Sequence, residues 1–263
     1  MHKFLTTLIY FLSSLIGIVA FAYPFFLPEL ETVAASNTAV RSSDAPVLTT
    51  LLLLLCLGVL LLEVQGQAVS AKIVAALGML IAVTSALRFL EVAIPGPGGF
   101  SPIFAPIILA GYVFGGRFGF LMGAMTLLVS GLVTGSIGPW LPYQMFTAGW
   151  IGLTAGWLPK FGQPRWELVV LGLFGFVWGV VFGAIMNLYF WPFVAGDAAT
   201  SWEAGSGLRE GLTRYGAFYL ATSLIWDVAR GVGNVLLLLV LGTPTIRALR
   251  RFRDRFQFEV GLA

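Results

Sequence analysis

The chain has 263 residues, of which 58% are hydrophobic and only 10% charged, and its mean hydropathy is +0.92. Soluble domains carry a charged fraction nearer ~25%, so the composition excludes one and predicts an all-α integral membrane protein built as a helix bundle. The net charge of +3 gathers near the C-terminus in "RALRRFRDRF", which reads as a topology signal rather than a nucleic-acid-binding face.

A helix needs about 20 apolar residues to cross the hydrocarbon, fewer if tilted. Eight runs meet that need, predicting spans near 4–27, 47–63, 71–90, 102–115, 118–135, 144–158, 168–193 and 212–242. The first has a basic start and Ala20-Phe21-Ala22, which imitates a cleavable secretory signal, but its apolar run continues through "YPFFLP" and reads as a retained helix. Residues 29–46 are polar and aperiodic, as in an external loop, and 64–70, "VQGQAVS", form a short polar hinge. This divides the chain into two plain N-terminal spans over 1–64, a six-helix core over 70–255 and a basic tail over 247–263. The fourth and sixth runs are short and flanked by proline, which predicts partial or steeply tilted helices.

Ten of the fifteen Lys and Arg side chains (Lys3, Lys72, Arg117, Lys160, Arg165 and the five arginines at 247–255) then share the side of the N-terminus. The other side receives Arg41, Arg88, Arg209 and Arg214 together with seven acids. The positive-inside rule places both termini in the cytoplasm of a multi-pass cell-membrane protein. Cys56 lies within "LLLLLCLGVLLL" and, as the single cysteine, forms no internal disulfide.

Small residues recur every fourth position in several spans: Gly78, Ala82, Ala86; Gly111, Gly115; Gly119, Gly123; Ala148, Gly152, Gly156; and Gly175, Gly179, Gly183. That spacing lets two helix backbones approach closely. Each stripe serves either packing inside one subunit or docking of another membrane subunit, and Ala71 and Ala75 extend a second small ridge in the third span.

Three polar residues interrupt the last span in "LIWDVARGVGN". Asp227, Arg230 and Asn234 stand at i, i+3 and i+7, on one helix face. A charge at membrane depth costs ~2.5–3.5 kcal/mol on insertion scales, so it faces a partner or a cavity. One reading is an Asp227–Arg230 pair within the helix; the other is a ligand or ion site, with Asp227 and Arg230 as its floor and Asn234 satisfying a neighbouring helix. Asn187, Trp191, Arg88 and Glu91 bring further polar or aromatic groups to the same half of the bundle. "GSIGPWLPYQM", residues 135–145, offers Trp140, Tyr143 and Gln144 on a Pro- and Gly-stiffened connection suited to cap a small polar-aromatic ligand. No Walker A, HExxH or GxSxG motif occurs, and the single histidine is His2. The sequence therefore predicts no enzyme, no metal site and no cofactor, and uphill transport would need an ATPase partner or an ion gradient.

Residues 99–159 resemble the substrate-binding S component of an energy-coupling factor (ECF) vitamin transporter. Pro106, Ala110, Gly111, Phe114, Gly115, Gly119 and Ser130 carry the resemblance, with the last span running into "GTPTIRALRR". It covers about 70–255 and implies a six-helix fold that takes a vitamin or related micronutrient from the outer face. It further implies import through a transmembrane coupling subunit and ABC-type ATPases. By position, binding falls to the neighbourhoods of Arg88, Glu91, Trp140, Tyr143, Gln144, Asn187, Trp191, Asp227 and Arg230, and docking of the coupling subunit to Gly78, Ala82 and Ala86, or Ala71 and Ala75. The first guess at the substrate is cobalamin-like, the second thiamine- or pyridoxine-like. Two further readings are an ion-coupled secondary transporter using Asp227 and a non-transporting subunit of a larger membrane complex.

Overall fold

The computed structural model describes residues 2–22, 25, 47, 50–51, 54, 71–93, 99–194, 197–203 and 207–260. The loop at 29–46, the hinge at 64–70, Cys56 and nearly all of the second predicted span lie outside the described residues. Eight helices account for most of the rest: α1 His2–Ala22, α2 Ala71–Ala93, α3 Phe104–Phe114, α4 Gly116–Thr134, α5 Leu141–Ala155, α6 Pro164–Phe190, α7 Leu208–Thr222 and α8 Leu224–Val260. A 3₁₀ turn, Trp191–Phe193, extends α6. The described residues contain no strand. Among the described residues, four segments are long and apolar enough to cross a membrane: Ile73–Ala93, Gly116–Thr134, Pro164–Phe193 and Leu224–Asp254.

The two short predicted spans form the centre of the bundle. At 11 residues, α3 is about 16 Å long and cannot cross the hydrocarbon alone. Instead it is enclosed, with Ile107, Ile108 and Ala110 fully buried and Tyr112 nearly so. Gly115 separates α3 from α4 by one residue at φ 100°, ψ 164°, a left-handed-side conformation that costs glycine little and any L side chain much. The chain thus reverses at once and lays α4 beside α3.

Around this turn the small residues act as internal packing. A Cβ at Gly119 would lie 2.3 Å from the Gly152 carbonyl oxygen, and one at Gly152 would lie 2.0 Å from that of Gly119. Lipid supplies no hydrophobic drive for helix association, so backbone approach of this kind, with its dispersion and Cα–H···O contacts, holds α3, α4 and α5 together. On α2 the stripe behaves differently. Ala75, Gly78, Ala82 and Ala86 are exposed, while Ala76, Leu77, Thr84 and Ser85 turn inward, with Ser85 Oγ donating to the Thr126 carbonyl of α4 at 3.4 Å. A Cβ at Gly78 would meet no heavy atom within 4 Å.

The structure revises the predicted last span in one respect. A break at Ser223 divides it into α7 and α8, and α8 continues through the basic tail as helix to Val260. Ser223 Oγ donates to Asn187 Oδ1 at 3.0 Å, so the hydroxyl is held by α6 at the break itself. Asp227 consequently stands in the first turn of α8, where a carboxylate complements the exposed N–H groups of the helix start.

Candidate functional site

The seam between α6 and α8 explains why three polar residues occupy an apolar run. Gly183, Gly179 and Gly175 on α6 face Asp227, Gly231 and Asn234 on α8 in register. A Cβ at Gly183 would fall about 2 Å from the Asp227 carboxylate, so that glycine makes the room in which the acid sits. Asn234 Nδ2 donates to the Gly175 carbonyl at 2.9 Å, the neighbouring-helix bond expected of it. Arg230 Nη1 pairs with Asp227 Oδ1 and also reaches the Gly179 carbonyl at 3.3 Å, and its guanidinium lies 5.6 Å from the Phe182 ring centroid. Asp227 is 2% exposed and Asn234 wholly buried, whereas the Arg230 side chain remains 17% exposed. The intrahelical pair is therefore formed, and the arginine is its accessible member.

At the same end of the bundle, α2 contributes Arg88 and Glu91, both half-buried. Glu91 accepts a hydrogen bond from Ser101 Oγ at 2.7 Å. Arg88 lies within electrostatic range of both Glu91 and Arg230, and Glu91 within range of Arg230. Four charges and a hydroxyl from α2, the turn before α3 and α8 are thus brought together. Asn187 closes the group on α6 by donating to the Gly183 carbonyl at 2.9 Å while accepting from Ser223.

The aromatic residues form a second set. Tyr143 is 2% exposed and packs between Phe21 of α1, 4.9 Å between ring centroids, and Tyr189 of α6, at 4.4 Å. Trp140 is 40% exposed and stands over Gly138, and Gln144 is half-buried one turn further on. Trp191 is 2% exposed, donates Nε1–H to the Thr200 carbonyl at 2.7 Å and meets the rings of Trp202 and Tyr215 at 5.4 and 5.1 Å. It pins the 197–203 segment against α7. Sequence reasoning did not single out Ser101 and Ser223, because a lone serine beside an apolar run carries no distinguishing signal.

A third constellation, at the opposite end, also escaped the sequence reading. Glu167, in the first turn of α6, is 4% exposed. It pairs with Arg250 of α8 and accepts from the Tyr112 hydroxyl of α3 at 2.8 Å. Arg253 donates to the Val113 carbonyl at 3.1 Å, which occupies one of the orphan carbonyls at the α3 C-terminus. Lys160, on the connection before α6, is exposed as a whole, yet its ammonium lies 3.5 Å from the Tyr112 ring centroid and donates to the Tyr112 carbonyl. Burial first, and then the Arg250 and Arg253 charges, lower the Lys160 ammonium to about 8. The spacing of Arg250 and Arg253 was the available signal: it puts two cations of a supposed solvated tail on one helical face.

Across these ends the fold is a membrane bundle with a polar cluster inside it and no constellation for covalent chemistry among the residues described; no group of three metal-ligating side chains occurs among them. The family model for the substrate-specific component of ECF transporters matches residues 72–242, and the chain belongs to that family. It is a membrane transport subunit rather than an enzyme, one that takes part in substrate capture for ECF-type import with a coupling protein and ATPases. The match begins one residue into α2 and runs to Gly242 of α8, so α1 stands outside it. No curated protein and no solved structure matches the chain at a significant level.

Proposed function

We propose that this chain captures a vitamin or related micronutrient at the end of the bundle that carries Glu91, Trp140 and Asp227, for ATP-driven import. The observation that supports this reading is the convergence of Arg88, Glu91, Ser101, Asp227 and Arg230 from three separate segments. Charges so placed in an apolar bundle mark a solute site, because lipid offers them no partners and a polar ligand does. Arg88, Glu91, Arg230, Trp140 and Gln144 are the half-buried or exposed groups and make the ligand contacts. Asp227, Asn187, Tyr143 and Trp191 act through others: Asp227 orients Arg230, Asn187 holds the α7–α8 break, and the two aromatics fix the rim.

In this reading eight spans cross the cell membrane, two from residues 1–64 and six from the core at 70–255. Both termini lie in the cytoplasm, with Lys160, Arg165 and the arginines from Arg247 onward on that side. The exposed face of Ala75, Gly78, Ala82 and Ala86, continuing the helix that begins at Ala71, docks the transmembrane coupling subunit, since small residues admit a second backbone closely.

The test is mass spectrometry of small molecules that remain with the purified chain, followed by calorimetric titration with cobalamin, thiamine and pyridoxine. Submicromolar affinity for one vitamin class is expected. Arg230→Gln should weaken it at least tenfold, about 1.4 kcal/mol, with the helical content unchanged. Asp227→Asn should weaken it less, through Arg230. A folded protein that binds none of the vitamins or their precursors overturns the reading, and undiminished affinity in Arg230→Gln removes that residue from the site.

A further inference from the structure

The two arginines of the polar cluster differ in how many of their donors the fold itself employs. Arg230 uses Nη1 for the Asp227 carboxylate and for the Gly179 carbonyl at 3.3 Å, and its guanidinium lies over the Phe182 ring. Its Nε and Nη2 groups make no hydrogen bond among the described residues. Arg88 is half-buried on α2, yet no hydrogen bond or ion pair joins it to any of the described residues. It feels two charges through space: the Glu91 carboxylate, which attracts it, and the Arg230 guanidinium, which repels it. Glu91 stands one turn further along α2 and bonds through Oε2 to Ser101 instead.

Packing holds this arrangement in place. The turn that carries Ser101 is wedged against α8 on both sides of Arg230: a Cβ at Gly99 would lie 2.7 Å from the Trp226 carbonyl oxygen, and one at Gly233 would lie 2.4 Å from the Phe100 ring. Ser101 in turn holds Glu91, so one short segment joins the end of α2 to the first turns of α8. Asp227, 2% exposed and paired with Arg230, is closed to a solute. What the cluster leaves over is the whole donor fork of Arg88 and the Nε–Nη2 edge of Arg230, against the second oxygen of Glu91 as acceptor. Donors far exceed acceptors.

We propose that the captured molecule carries a carboxylate, seated on Arg88 and on the Nε–Nη2 edge of Arg230, and next to it a hydroxyl or amide N–H that donates to Glu91. This rests on the capture reading given under Proposed function and names the class of its substrate. A carboxylate supplies the acceptors that both guanidiniums lack, and its planar pair of oxygens matches their donor forks. Placed between two like charges it also offsets their repulsion. A cation would add to that repulsion, and an uncharged alcohol would leave most of the donors unmet, each at the cost of its lost hydration. Arg88, Glu91, Asp227 and Arg230 sum to zero charge, so hydrogen-bonding capacity makes the selection, and Glu91 confines it to acids that bring a donor of their own.

Calorimetric titration of the full chain in detergent with matched pairs tests the assignment: pantothenate against pantothenol and biotin against biotin amide. Each pair differs at the carboxylate and keeps its other hydroxyl or N–H donors; thiamine serves as the cationic reference. The acid of at least one pair should bind at least about tenfold more tightly than its neutral partner, the effect of losing a charge-assisted bond. Arg88→Gln should remove that difference by weakening the acid alone, and Arg88→Lys should keep part of it. The molecule retained through purification and identified by mass spectrometry should itself be an acid. A neutral or cationic molecule retained in its place, equal affinity for acid and neutral partner, tighter binding of thiamine, or an undiminished preference in Arg88→Gln would overturn the proposal and leave capture standing. No retained molecule and no binding of any probe would overturn capture itself, so the two failures are distinguishable.

Discussion

The small-residue ridge of α2 and the glycine ridge shared by α4 and α5 have the same spacing and opposite fates. On α4 and α5, Gly119 and Gly152 bring carbonyl and Cα into contact, and neither has space for a methyl group. On α2, Gly78 has open space on its outer side and its neighbours Ala75, Ala82 and Ala86 are exposed. The comparison teaches that spacing of four specifies a smooth face and nothing more; what occupies the face depends on which helix the rest of the fold brings alongside. Around Gly115 the chain reverses within one residue, and α3, α4 and α5 have no option but to use their own small faces. α2 is held to α4 by its opposite side, through Ser85, which leaves its small face exposed among the described residues.

The same substitution made in both ridges should break the comparison if it is wrong. The largest effect is expected from Gly152→Ala, whose new methyl would overlap the Gly119 carbonyl; overpacking of this severity costs ~3 kcal/mol or more, and the protein should lose its single elution peak and its cooperative thermal transition. Normal thermal stability in that variant would mean that α4 and α5 are not so closely joined. Next comes Ala82→Trp on the open face. It should leave the isolated subunit within ~0.5 kcal/mol of the original, yet reduce recovery of the coupling subunit in co-purification at least tenfold. Equal recovery would place docking elsewhere. The smallest effect is that of Gly78→Ala, which removes backbone freedom from the unfolded helix without creating a contact and should raise thermal stability by an amount of order 0.5–1 kcal/mol. A loss of stability there would show that Gly78 packs internally after all.

The polar residues show a similar division between legible and hidden. Asp227, Arg230 and Asn234 stood out because each is expensive in an apolar run, and Asn234 makes the neighbouring-helix bond that its position suggested. That Gly183 is the cavity for Asp227 was not legible, since the glycine stripe and the acid lie 44 residues apart in sequence and only the α6–α8 contact aligns them. Glu167 was passed over for the same reason. Its partners Tyr112 and Arg250 come from two other helices, and the arginine belongs to a run whose count alone explained it as a topology signal. The break at Ser223 was hidden as well, because hydropathy averages over it and no proline or glycine marks it.

Composition and the spacing of apolar runs determined by themselves that this chain lives in a membrane and where most of its helices lie, because lipid requires backbone groups to be satisfied within each segment. The order of glycines, prolines and polar residues over 99–159 carried the family. Only the tertiary structure decided which small-residue face is spent internally and which remains open, and which member of the Asp227–Arg230 pair is accessible. Those outcomes depend on distances between segments remote in sequence, and a one-dimensional pattern holds no term for them.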